Sequence, residues 1–327
     1  MENPFRIGVL GSYSGYYMRE LKRAASEWNE KATEDSTHPS VLVDTLSFES
    51  MSVWSGPELY AKACRVTEDK RTSSSPSNEE MVRLNDYDVL LVRSMPLGSI
   101  EQIVFRMNAL HVVEQSGTVV LNKPRCLEIC IDKWLTLNKM RMAGILTPRT
   151  VCCQGRDHAL DAWHELGEDC IVKPIFGGEG RGLVRVTDRE MAWRVFSTLS
   201  QMQAVIYVQE FLPNDGFDLR LLVLDDELYT VRRYGQGNWR ANVSQGGKAE
   251  RVDPTFEQAD IAYKAARLVD GWMVGVDLIE TLDGRNVLIE VNAVPGWKAT
   301  GAACGVDLSE RVIRNLTSAA TRRYCRL

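Results

Sequence analysis

Apolar runs of strand character recur through the first third of the chain: FRIGVL (5–10), VLVDTL (41–46), DVLLVRS (88–94) and TVVLN (118–122). The first is followed by the turn-rich segment 11–15 and a helical pattern from Tyr17 to about Lys31. Strands alternating with helices predict a parallel sheet over residues 1–125, interrupted by the polar loop RTSSSPSN (71–78). Beyond residue 125 the pattern changes. DKWLTLNKMRM, from Asp132 to Met142, predicts a helix stopped at Gly144 and Pro148. CIVKPI (170–175), LVRV (183–186) and AVIYVQEFL (204–212) read as strands, with a helix over 189–202. DLRLLVL (218–224) and ELYTVRRY (227–234) form a hairpin about Asp225 and Asp226. After the polar loop 235–252, Asp253 as N-cap and Pro254 at the first helical position open a helix to about Asp270. The fold class is α/β, turning α+β in the C-terminal part.

The last two strand runs carry the sharpest geometric expectation. VGVDLIE (274–280) and NVLIEVN (286–292) flank Asp283-Gly284, a strong hairpin signal. A two-residue loop pairs Leu282 with Arg285, and counting outward sets Asp277 opposite Glu290, with Asn292 on the same face by period-two alternation. Two carboxylates and a carboxamide on one patch are hard oxygen donors of the kind Mg²⁺ prefers. The alternative is a solvated polar face. Like charges directly opposite disfavour pairing unless a cation neutralises them.

Composition narrows the classes. A chain of 327 residues with 44% hydrophobic and 25% charged side chains is of ordinary globular type and long enough for two or three domains. A net charge of −5 and a pI near 5.6 give no general attraction to nucleic acid or to an anionic membrane, so an anionic ligand needs local groups. The start, MENPFRIGVLGS, lacks the apolar run of a signal peptide, no stretch approaches spanning length, and the eight cysteines show no paired CxxC. A cytoplasmic protein with reduced thiols is expected.

Three further groups carry candidate chemistry. Lys173 precedes the glycine-rich loop 176–182, where backbone N–H groups and a lysine could hold phosphate oxygens; the other reading is a tight hairpin with a snorkelling lysine. VQEF (208–211) ends a strand at a turn where an edge backbone could face an adenine. Asp218 and Arg220 share one strand face, and Arg232, Arg233, Arg240 and Asn242 follow, either as an anion cradle or as a solvated charged hairpin. The glycines at 8, 11 and 15 do not form the GxGxxG of a dinucleotide fold.

In order, these strings are DK (132–133), VKP with its glycine loop (172–182), VQEF (208–211), DLR (218–220), RANVSQGG (240–247), GVDLIE (275–280) and IEVNAVPGW (289–297). Together they resemble the ATP-grasp superfamily, and within it the RimK-type glutamate ligases. VRSMPLGSIEQIVFRMNALH (92–111) and NAVPGWKATGAACGVDLSERVI (292–313) are similar to the branch that glutamylates tetrahydromethanopterin. The resemblance implies an N-terminal pre-ATP-grasp domain (1–125), a central subdomain with a glycine flap (126–210) and a C-terminal subdomain with the metal site (211–327). It implies that Lys133, Lys173 and the loop glycines Gly177, Gly178, Gly180 and Gly182 contact ATP phosphates. Glu210 and Phe211 would line the adenine site, with Asp218 near the ribose and Arg220 in the nucleotide site. Arg233, Arg240 and Asn242 would orient the acceptor carboxylate, and Asp277, Glu290 and Asn292 would bind two Mg²⁺ ions, with Mn²⁺ as a substitute. Arg93, Ser94 and Arg106 are candidates for shaping the acceptor site. Glu179 departs from the pattern, an acid beside the phosphate region that would face solvent or pair with Arg181 or Arg185.

The implied reaction is ATP-driven amide formation through an acyl phosphate, adding L-glutamate to a small-molecule carboxylate in a homo-oligomeric enzyme that engages neither nucleic acid nor membrane. A ribosomal-protein C-terminus is the alternative acceptor. A non-catalytic ATP-binding regulator and a phosphotransferase are the rival classes.

Overall fold

The computed structural model describes residues 3–34, 39–66, 80–177, 182–235 and 248–324. The chain divides into two compact units, one of Met1–Leu127, Gly271–Met273 and Gly305–Leu327, the other of Glu128–Asp270 and Val274–Cys304.

In the first unit, β1 (Phe5–Leu10), α1 (Tyr16–Glu34), β2 (Val41–Leu46), β3 (Ser52–Ser55), β4 (Leu59–Val66), β5 (Glu80–Arg83), β6 (Val89–Val92), α2 (Ile100–Gln115) and β7 (Val119–Leu121) follow in order. The sheet order is β3-β4-β2-β1-β6-β7, with β5 also on β4. The expected parallel core is present, since β1 pairs in parallel with β2 and β6, and β6 with β7. The runs at 52–66 and 80–83 add an antiparallel excursion, β4 pairing with β2, β3 and β5. Val89–Val92 is buried at every position, as a parallel strand covered on both faces must be. A C-terminal helix, Leu308–Tyr324, belongs to this unit.

The second unit opens with α3 (Pro124–Ile131), only partly within it, and α4 (Lys133–Met142). A four-stranded sheet follows from β8 (Thr150–Cys153), β9 (Cys170–Lys173), β10 (Val184–Val186) and β11 (Ile206–Glu210), in the order β10-β9-β11-β8. Helices α5 (Arg156–Glu165) and α6 (Arg189–Gln201) supply Trp163 and Phe196 to a core with Val172, Val186 and Val208. The Trp163 indole N–H donates to the Val186 carbonyl at 3.2 Å, so the large ring is buried without an orphaned donor. Full burial of Phe196 contributes about 3 kcal/mol.

The second sheet of this unit comprises β12 (Phe217–Leu224), β13 (Glu227–Tyr234), β14 (Lys248–Arg251), β15 (Met273–Glu280) and β16 (Asn286–Asn292), ordered β14-β13-β12-β15-β16. Between them runs α7 (Phe256–Val269), and α8 (Lys298–Cys304) follows. Helix α7 starts two residues later than Asp253 and Pro254 suggest. Thr255 is its N-cap, accepting from the Gln258 N–H while the Gln258 side chain accepts from the Thr255 N–H. That reciprocal pair satisfies two donors where an Asp cap would satisfy one. No helix among the described residues is long and apolar enough to cross a membrane.

Candidate active site

The terminal hairpin pairs Asp277 with Glu290 and Gly275 with Asn292, as the spacing requires, but by a different route. The loop has three residues, not two: Thr281 N–H donates to the Arg285 carbonyl at 3.0 Å and Gly284 N–H to the Thr281 carbonyl at 2.8 Å. Glu280 therefore pairs with Asn286 rather than Val287. Carried along the strand, that one-residue shift would oppose Asp277 to Ile289 and turn Glu290 to the other face. A bulge between Asp277 and Leu278 cancels the shift.

The restored face carries more than these three side chains. Asp277 is almost fully buried, and both its oxygens are taken. Arg220 grips it with Nε on Oδ1 and Nη2 on Oδ2, the latter at 2.9 Å. Arg233 reaches Oδ2 at 2.9 Å and also forks onto Asp218, Nε to Oδ1 at 2.6 Å and Nη2 to Oδ2 at 2.8 Å. Strand pairing explains the convergence, since Asp218 stands opposite Arg233, and Asp218 and Arg220 share a face at i and i+2. Burial alone would raise the Asp277 pKa, but Arg220 and Arg233 outweigh it and hold the carboxyl below its ordinary range. Burial alone would lower that of Arg233, and the two aspartates reverse this.

Gly275 makes room for the arginine. A Cβ there would lie 2.9 Å from Arg220 Nη1, 3.2 Å from its Cδ and 3.1 Å from Pro295 Cβ. The spacing of GVD thus has a steric meaning that sequence patterning alone missed.

The lysines sit differently. Lys173 ends β9 and donates to Gln209 Oε1 at 2.6 Å, Gln209 in turn donating to Thr150 Oγ1 at 2.9 Å. Burial pushes Lys173 down to about 8, opposed by the charge of Glu290 and reinforced by that of Lys133. Lys133 is lowered by burial as well, against the pull of Glu290. Its Nζ donates to the Gly177 carbonyl at 2.5 Å, tying α4 to the start of the glycine loop. Gln209 is a positioning contact that the reading of VQEF for adenine overlooked.

Gly177 and Gly182 bracket the loop with φ of +115° and +75°, the left-handed region that favours glycine, and a Cβ on Gly182 would meet Pro174 Cγ at 2.8 Å. Gly178, Glu179, Gly180 and Arg181 lie outside the described residues, as do Arg240 and Asn242. Arg185 forks onto Asp169 at 2.8 and 2.6 Å and lies over the Phe211 ring, 3.5 Å from its centroid. Glu210 is held by Arg149, whose Nε donates at 2.7 Å and whose backbone N–H donates at 2.7 Å. The N–H groups of Glu210 and Phe211 donate to the Arg149 and Asp169 carbonyls, so a nucleotide there would meet other backbone atoms.

The donor set fits a hard divalent cation. Glu290 makes no ion pair with a basic side chain among the described residues. Asn292 Oδ1 accepts one bond, from Val294 N–H at 2.8 Å, and keeps a lone pair. Asp277 is committed to arginine and could offer a metal only its remaining lone pairs. Glu290 is accordingly the principal candidate ligand.

Comparison with known proteins gives the family. Residues 130–316 match the model of the RimK-like ATP-grasp domain, more than half of the chain. The tetrahydromethanopterin:alpha-L-glutamate ligase of Methanosarcina acetivorans is 30% identical over 265 residues, covering 72% of this chain and 81% of that protein. The ribosomal protein bS6--L-glutamate ligase of Escherichia coli is 32% identical over 221 residues, 66% of this chain and 73% of that one. Among solved structures, the ATP-grasp ligase PsnB complexed with minimal precursor, Mg and ADP aligns at a TM-score of 0.66 and 20% identity, over 96% of this chain and 98% of its own, a likeness of fold. The chain belongs to the RimK-like ATP-grasp family and is an ATP-dependent ligase.

Proposed function

We propose that this ligase adds L-glutamate to a carboxylate of a tetrahydromethanopterin-type cofactor. The observation that carries the chemistry is that Glu290, which makes no ion pair with a basic side chain among the described residues, acts through its charge on both Lys133 and Lys173, on the sheet where Arg220 and Arg233 hold Asp277. A carboxylate is a poor electrophile, so its oxygen first attacks the γ-phosphoryl group, releasing ADP and leaving an acyl phosphate. The amine of L-glutamate then attacks the acyl carbon, phosphate departs, and the amine loses a proton. Lys133 and Lys173 would hold phosphate oxygens, Lys173 aimed by Gln209 and Lys133 linked to the loop that would exclude water. Arg240 and Asn242 would orient the acceptor carboxylate, while Arg233, held by Asp218 and Asp277, would fix the sheet face. Mg²⁺, two ions or Mn²⁺ in their place, held by Glu290, Asn292 and the outer lone pairs of Asp277, would supply neutralisation of phosphate charge.

We assign the acceptor-shaping role to residues 1–125, the flap to 126–210 and the metal face to 211–327, in a cytoplasmic homo-oligomer. The choice of acceptor is supported by the similarity to tetrahydromethanopterin ligases. The comparable identity to the bS6 ligase makes a ribosomal-protein C-terminus the second reading. The test measures ADP release with Mg-ATP and L-glutamate, with and without reduced tetrahydromethanopterin-type acceptor, followed by mass spectrometry of the acceptor. Acceptor-dependent ADP release with gain of glutamyl mass supports the reading. Turnover only with the ribosomal peptide would transfer it to the second acceptor.

A further inference from the structure

In the four-stranded sheet, Thr150, Lys173, Tyr207 and Gln209 share one face. Thr150 stands directly opposite Gln209 and Lys173 opposite Tyr207, while Tyr207 and Gln209 sit at i and i+2 on β11. The other face of these strands packs into the apolar core through Val172 and Val208. Tyr207 is completely buried and Gln209 nearly so. Polar groups in such a place must satisfy one another, and here they do so with a fixed direction.

The direction begins at a backbone oxygen. The Thr150 hydroxyl donates to the Pro148 carbonyl at 3.1 Å, and a carbonyl only accepts. With that proton committed, the Thr150 oxygen can only accept from Gln209. The Gln209 amide nitrogen donates to it at 2.9 Å and to the Tyr207 hydroxyl at 3.1 Å. The nitrogen end of the carboxamide thus faces the hydroxyls, and its oxygen faces the Lys173 ammonium, which donates to it at 2.6 Å. Turned over, the amide would set its N–H groups against the ammonium and its oxygen against a hydroxyl oxygen whose proton is in use. Two hydroxyls and a carbonyl therefore choose which end of Gln209 the lysine meets.

A network serving packing alone has no need of a cation at its end. Lysine carries a point charge on a flexible stem, and Gln209 takes one of its three donors, leaving the others for a ligand. The partner is also neutral. Arg220 and Arg233, in the same unit, meet carboxylates, whereas a carboxamide aims Lys173 without cancelling its charge.

We infer that Thr150 and Tyr207 are positioning residues for the nucleotide: through Gln209 they fix the place of the Lys173 ammonium and leave its charge to the phosphates. The inference rests on the reading of Lys173 as a phosphate contact, and its test separates the two.

The experiment is calorimetric titration of the full chain with ATP and with adenosine, which has no phosphate, alongside a melting curve for each variant. Tyr207→Phe and Thr150→Val each remove one hydroxyl. Each is expected to weaken ATP binding roughly tenfold, the scale of one lost hydrogen bond, and to leave adenosine within about twofold. Thr150→Ser keeps the hydroxyl and is expected to bind ATP as wild type does. Gln209→Glu is expected to weaken ATP binding by about tenfold or more, because a carboxylate competes with phosphate for the ammonium. If Tyr207→Phe melts too low to titrate, Thr150→Val, on the edge strand β8, carries the test. Wild-type ATP affinity in both hydroxyl variants, with ATP binding lost in Lys173→Met, overturns the inference alone. Equal losses for ATP and adenosine also overturn it and reduce the four residues to a structural network. Wild-type ATP affinity in Lys173→Met removes the phosphate reading and the inference with it.

Discussion

On one sheet face, Asp218, Arg220, Arg233 and Asp277 satisfy one another, whereas Lys133, Lys173 and Glu290 interact through space without a direct ion pair among the described residues. The first group alternates in sign and sums to zero before any ligand arrives. The second keeps two lysines partly desolvated, each destabilised in its charged form, with the carboxylate that would relieve them reserved. Buried ion pairs add little net stability but are costly to break, so the first group is suited to fix geometry. A depressed lysine gains most when an anion arrives, so the second is suited to bind.

The largest expected effect falls on the reserved carboxylate. Glu290→Ala should reduce acceptor-dependent ADP release by about 1,000-fold or more, by analogy with the loss of one preorganised electrostatic group, and leave the melting temperature nearly unchanged. Full turnover in this variant, followed by a coupled ADP assay, would mean that the acid stands outside the chemistry. Asp277→Asn should do the opposite in the melting curve. It strips Arg220 and Arg233 of a shared counter-charge, and removal of one partner from a buried network costs about 3–5 kcal/mol. If Asp277→Asn melts like wild type, the arginine network is not a scaffold of this sheet face.

The pairing of Asp277 with Glu290 was legible in the sequence, though not for the right reason. The facing of Asp277 and Glu290 follows from counting out of Asp283-Gly284, yet the count succeeds because an extra loop residue and a bulge offset each other. Neither leaves a mark on a period-two pattern. The cap of α7 was readable, since Thr255 and Gln258 have capping-box spacing, but Asp253 and Pro254 offered a competing signal. The excursion β3-β4-β5 was passed over because β3 and β5 are four residues each and the apolar pattern of β4, LYAKACRV, is interrupted by Lys62 and Arg65. Arg220 on Asp277 and Gln209 on Lys173 are contacts between strands distant in sequence, and nothing local encodes which strand lies beside which.

A smaller effect probes how the paired group is held. Gly275→Ala places a methyl against Arg220 Nη1 and Cδ, so the guanidinium must leave Asp277 or the strand must shift. A fall of roughly tenfold in kcat/KM is expected, the scale of about 1.4 kcal/mol for one displaced contact. Arg220→Lys has a slimmer head and should restore part of the loss when combined with Gly275→Ala, although alone it lowers activity. Additive losses in that cycle would show that the two positions are independent and that the close approach has no bearing on Arg220.

The smallest effect concerns the lysine side and is read in pH. Lys173 in the free protein titrates at about 8, and phosphate beside it would raise that value in the complex. Below pH 8 the lysine is charged in both states, and ATP affinity should be flat. Between about 8 and the pKa of the complex, binding must take up a proton, so affinity should fall as pH rises, by at most tenfold per unit. The same depression bears on folding with a definite sign. From about 8 up to the ordinary lysine value the unfolded chain binds more protons, so the penalty of burying Lys173 fades and stability from this group rises with pH. Lys173→Met should therefore melt higher than wild type at pH 7, with the advantage narrowing by pH 10, and should lose the pH dependence of ATP affinity. Calorimetric titration of ATP in two buffers of different ionisation heat measures the proton uptake directly. No uptake at pH 9 would mean that Lys173 never meets the phosphates, and the binding side of the comparison would rest on Lys133 alone.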